Sequence, residues 1–121
     1  MDNTLEVYLG EELIFHSDGK WLYPLFELED FLAGADHEAA QLTVKDKIVG
    51  RAAALLEVRL GVGRVEAGIM SELGRRALER HNVEYEYGML VERILCKTEE
   101  LLDDEYDPER AYEMLKARAG R

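Results

Sequence analysis

The hydrophobic pattern of this chain switches repeatedly between two periods, and that switching narrows the available folds more than any other feature. Leu5, Val7 and Leu9 alternate with Glu6 and Tyr8, the period-two mark of a half-buried strand. Gly10-Glu11-Glu12 interrupts the run and Leu13-Ile14-Phe15-His16 resumes it, so the two segments are expected to pair as a hairpin. Ser17-Asp18-Gly19-Lys20 reads as the turn that closes it. From Pro24 the spacing becomes helical: Leu25, Leu28, Phe31 and Leu32 share one face and Gly34 ends it. Residues 35–41 are polar and read as a loop, and Leu42-Thr43-Val44 as a short strand.

The second half repeats the alternation. Asp46 is read as the N-cap of a central helix over 46–56, because a carboxylate there accepts the orphan amides of the first turn. The triplet Ala52-Ala53-Ala54 implies close neighbours on more than one side. Gly61 and Gly63 mark a turn before a strand from Arg64 to Met70. Ser71 then caps a further helix, with Glu72 in its first turn and an end near His81-Asn82. Val83, Tyr85 and Tyr87 alternate with Glu84 and Glu86 as a strand, and beyond Gly88 residues 89–95 read as helix. Asp107-Pro108-Glu109 opens a last helix with Ala111, Met114 and Leu115 as its apolar stripe. The resulting order ββαβαβαβα, with one more helix at the end, implies an α/β three-layer sandwich around a mixed sheet.

A chain of 121 residues fits one domain over 1–121, with an acidic helical extension from about residue 99. The net charge of −11 repels phosphate backbones and anionic lipids, so neither nucleic acid nor a membrane is expected as a partner. No apolar run approaches the roughly 20 residues that span a bilayer. A single cysteine, Cys96, excludes an internal disulfide, and the first residues lack the basic and apolar regions of a signal peptide, so the expected location is the cytoplasm.

Several segments carry a family resemblance: Ser17-Asp18-Gly19-Lys20, Tyr23-Pro24-Leu25, the stretch from Asp46 to Leu56, Ile69-Met70-Ser71-Glu72 and Val83-Glu84-Tyr85-Glu86. Together they resemble a small family of uncharacterised bacterial proteins with a cytidine-deaminase-like fold, over roughly residues 5–118. The resemblance implies that fold and no particular activity, and it sets Cys96-Lys97-Thr98-Glu99 where the family has a Cys-Pro-Met-Glu element.

Zinc deaminases need a His-x-Glu at one helix start and a Pro-Cys-x-x-Cys at the next to hold the metal. The helix starts read here, Asp46-Lys47-Ile48 and Ser71-Glu72-Leu73-Gly74, offer neither imidazole nor thiolate, and His16, His37 and His81 are scattered. No metal site and no cofactor are expected. If the deaminase-like layout holds, those two helix starts lie side by side and their amides attract an anion, with Lys47 and Arg51 adding positive charge. Asp46, Lys47, Arg51, Ser71 and Glu72 are therefore the candidate ligand-binding residues, joined by Asp18 and Lys20 of the turn. The expected ligand is small and anionic or nucleotide-like. Asp46 and Ser71 also suffice as plain caps, and Trp21, Tyr23, Tyr85 and Tyr87 as core, interface or strand-face residues. Cys96 is the candidate nucleophile of a rival, enzymatic reading, with cationic Lys97 beside it and Glu99 and Glu100 opposing. A third reading is an interaction module with the acidic tail as its contact, or a homodimer.

Overall fold

A computed structural model of the chain describes residues 3–94, 102 and 107–120. Strands β1 (Leu5–Leu9) and β2 (Glu12–Ser17) form a hairpin that closes at Gly10, whose φ of +62° suits a residue without a Cβ. Ser17-Asp18-Gly19-Lys20 is not that turn: it leads from β2 into helix α1 (Tyr23–Ala33), and the Gly19 amide donates to Ser17 Oγ. The four residues have turn chemistry, but the glycine nearer the middle of the two runs makes the reversal.

The largest departure from the sequence reading concerns the segment after Val44. Strand β3 runs over Leu42–Val49, and helix α2 begins only at Arg51 and ends at Leu60. Asp46 is thus a strand residue, and the cap of α2 is Gly50, which is extended at φ −97° and ψ −168°. The reason is periodicity: Leu42, Val44 and Asp46 are buried while Thr43 and Lys45 are half-exposed, so the alternation continues past the point where Asp46 imitates a cap. Strand β4 (Arg64–Ser71) and helix α3 (Glu72–Arg80) follow as expected, with Ser71 Oγ accepting from the Gly74 amide at 3.0 Å. Strand β5 (Glu84–Val91) is longer than expected and takes in Met89 to Val91, where the spacing reads as helical. The last helix, α4 (Pro108–Ala119), is capped by Asp107, whose carboxylate accepts from the Glu109 amide at 3.0 Å.

The sheet has the order β2-β1-β3-β4-β5, with β1 antiparallel to both neighbours and β3, β4 and β5 parallel. Three successive crossovers step the same way across it, so right-handed connections stand α1, α2 and α3 on one face. On that face Ser17, Leu5, Asp46, Ala67 and Tyr87 make one row across the five strands. Glu6, Lys45, Glu66 and Glu86 make a charged row on the other. Helix α4 packs on α2 and reaches α1, where Tyr112 donates to Glu29 at 2.9 Å. Every residue of α2 from Arg51 to Glu57 is buried, as an enclosed helix requires. The whole is a mixed five-stranded α/β arrangement consistent with a three-layer sandwich.

Candidate functional site

The inward register of β3 sets an acid into the core. Asp46 lies between Leu5 and Ala67 in its row and is 7% exposed. Its carboxylate accepts from the backbone amides of Lys47 and Ile48 and faces Glu57 of α2. Glu57 is fully buried, and among the described residues no donor reaches either of its carboxyl oxygens. Burial pushes the Asp46 carboxyl up to about 6, against the pull of those amides and of Glu57. Burial pushes the Glu57 carboxyl still further above its ordinary range, and the adjacent Asp46 charge adds to the effect. Two facing carboxyls in hydrocarbon cannot both ionise, so near neutrality the pair keeps one proton.

Of the two acids Asp46 borders a cavity of about 240 Å³ between the starts of α1 and α2, and Glu57 faces Asp46 from α2. Trp21 and Leu22 border the cavity just ahead of α1, Ile48 and Asp46 from β3, and Ala52 and Ala53 from α2. Thr4, Lys47, Gly50 and Ile94 complete the rim. Ala53 and Glu57 are four apart on α2, which aligns Glu57 with the cavity side of the helix. Trp21 holds φ at 56°, a left-handed backbone that a bulky side chain rarely adopts, and its ring meets Tyr23 edge-on at 5.2 Å. Ile48, although apolar, is 51% exposed beside it. Neither α1 nor α2 has a side-chain cap, so the first-turn amides of α2 at Gly50 and beyond are not claimed by a capping side chain.

The residues proposed from sequence divide accordingly. Asp46 and Lys47 border the cavity. Arg51 is wholly buried, and its guanidinium donates to the carbonyls of Leu73 at 3.5 Å and Leu102 at 3.1 Å, so it braces the core between α3 and the chain near Leu102. Ser71 and Glu72 are at the start of α3, where Ser71 caps and Glu72 pairs with Arg75 at 2.8 Å. Asp18 and Lys20 are exposed in the connection between β2 and α1. Cys96, with Lys97, Glu99 and Glu100, lies outside the described residues, as does most of the acidic segment before Asp107.

The expected pairing of Asp46 with Ser71 does not form. The β3–β4 register sets Val49 beside Met70 and hence Gly50 beside Ser71, so Asp46 is four residues back, roughly 13 Å along the strand. The starts of α2 and α3 do adjoin, but backbone to backbone: a Cβ on Gly74 would come within 2.7 Å of the Val49 carbonyl oxygen. The open space is at the other pair of helix starts, α1 and α2. Sequence reading missed Glu57 altogether. Its one trace is an acid at helical spacing from Ala53 and Leu60 on an otherwise apolar face.

Among the described residues no group of three or more His, Cys, Asp or Glu converges, and no helix is long and apolar enough to cross a membrane. No curated protein matches the chain. A crystal structure of a DUF1893 family protein (TM1506) from Thermotoga maritima, at 2.70 Å resolution, is similar to it with a TM-score of 0.85 and 25% identity, over 97% of this chain and 81% of that one. The family profile described as TM1506, domain of unknown function (DUF1893), matches residues 3–118. With nearly its whole length matched, the chain belongs to the DUF1893 family.

Proposed function

We propose that the chain binds a small, ring-bearing, nucleotide-like molecule in the cavity between the starts of α1 and α2. The observation that supports this reading is a largely apolar hollow with one buried acid on its floor and a helix start without a capping side chain at its rim. At about 240 Å³ it is smaller than the roughly 300–1,000 Å³ of sites for drug-sized ligands, which suits a single ring with a small substituent. The ring lies against Trp21 and Ile48, and an anionic end finds the first-turn amides of α2 with Lys47 beside them. The reading keeps the expected anion-binding helix start and replaces α3 by α1 as its partner.

A cytidine-deaminase-like layout is part of the proposal, since in that layout a metal cage belongs between two helix starts. Among the described residues, those that border the cavity include neither histidine nor cysteine, which supports binding without zinc-activated water. Thermal-shift measurements with nucleosides, nucleoside monophosphates and inorganic phosphate test the reading. A ligand at 100 times its Kd stabilises by about 2.7 kcal/mol, a readily resolved shift. Nucleosides and monophosphates should raise Tm while phosphate alone does not, and Lys47→Ala should weaken the monophosphates selectively. A flat response to every compound, or shifts that survive in Trp21→Ala, refutes the cavity as the site.

A further inference from the structure

The buried acids say something about the occupant that the cavity's shape does not. Asp46 touches the hollow, and Glu57 stands directly behind it with no donor for its oxygens among the described residues. A carboxyl retained in the core of a 121-residue chain, where a leucine would pack without penalty, needs a reason beyond stability. Among the described residues no cation bears on either acid. Arg51 directs its guanidinium to the Leu73 and Leu102 carbonyls, and Lys47 is exposed. Glu27 of α1 is exposed and accepts from Ser17 Oγ. The groups that bear on Asp46 are the Lys47 and Ile48 amides and Glu57 itself.

We propose that Asp46 and Glu57 act as one proton-holding unit at the cavity floor, and that the ligand presents to Asp46 a cationic N–H group of the amidinium or protonated-ring type. Asp46 is the group that meets the ligand, and Glu57 is a positioning residue that acts through it. With one proton on the pair, Glu57 donates to Asp46, and the Asp46 carboxylate accepts from the ligand's N–H groups. When both acids are protonated, uptake of the cation breaks the Asp46 O–H bond and sends that proton to solvent, so charge and protons balance. The proposal rests on the cavity being a ligand site and adds what its floor selects.

Benzamidine, a ring bearing a permanent amidinium, and benzamide, its neutral counterpart of the same shape, are the probes. Titration calorimetry on the full chain between roughly pH 5 and 8 should show benzamidine weakening about tenfold for each pH unit below about 6 and levelling above it. Benzamide should bind more weakly and without that profile. Asp46→Asn should abolish the preference for benzamidine. Glu57→Gln, which still donates, should keep the profile, whereas Glu57→Leu should move its midpoint to higher pH.

Carbon-13 NMR of the ligand-free wild-type chain provides a readout that no variant's folding can blur. One aspartate should titrate near 6 and one glutamate well above its ordinary range. Carboxyls that all titrate near their ordinary values of about 4 overturn the unit. Equal, pH-independent binding of benzamidine and benzamide overturns it too, while leaving the ring site standing. Failure of every ring compound to bind overturns both.

Discussion

An acid withdrawn from water either finds a cation or keeps its proton, and Asp46 and Glu57 take the second course together. The stability consequence has a definite sign. The folded chain holds protons that the unfolded chain sheds once pH exceeds the ordinary carboxyl values, so the contribution of these two groups to stability falls as pH rises. For Asp46 the loss begins near 3.8 and is complete once pH passes about 6. A shift of that size is worth on the order of 2–3 kcal/mol, and Glu57 extends the decline to higher pH. Urea denaturation at a pH of about 3.5 and of about 8 should therefore show Asp46→Asn and Glu57→Gln gaining stability relative to wild type at the higher pH and little at the lower. Equal changes at both values would mean that the pair ionises freely in the fold.

Among the elements, the junction of β3 with α2 decides where the cavity lies and was hardest to read. Asp46-Lys47-Ile48-Val49-Gly50 contains both a plausible cap and two β-branched residues, and local chemistry alone favours the cap. What overrides it is pairing on both sides, since β3 bonds to β1 and β4 along its length, and that partnership is not visible within a window of ten residues. The starts of α3 and α4 were legible because their caps, Ser71 and Asp107, face no competing strand register. The hairpin, the alternation of strands with helices and the apolar stripes were legible for the same reason of period. The acid pair was not, because Glu57 and Asp46 are eleven residues apart and meet only through the β3–α2 reversal. The neighbouring α2–α3 contact gives a direct check. Gly74→Ala drives a methyl into the Val49 carbonyl and should cost about 1–3 kcal/mol in urea midpoint analysis, although alanine favours helices.

At the scale of the molecule, α4 secures the layer that carries the cavity. Arg59 of α2 bonds Glu29 of α1 at 2.5 Å and Glu109 of α4 at 3.3 Å, and its guanidinium lies over the Tyr112 ring at 3.4 Å. The charges are partly exposed and contribute little alone; the burial of Ala111, Tyr112 and Leu115 carries the attachment. Leu115→Ala should cost about 2–5 kcal/mol and leave a single transition common to far-UV circular dichroism and calorimetry, since α2 belongs to both the sheet layer and the α4 contact. An early loss of helix signal ahead of the main transition would mean that α4 melts on its own. The chain has one tryptophan, and it stands at the mouth of the hollow with 39% of its surface open. Trp21 is thereby a native optical gauge: its emission wavelength and quenching by iodide respond to whether that mouth is wet or filled, in an unlabelled protein with no second indole to dilute the signal.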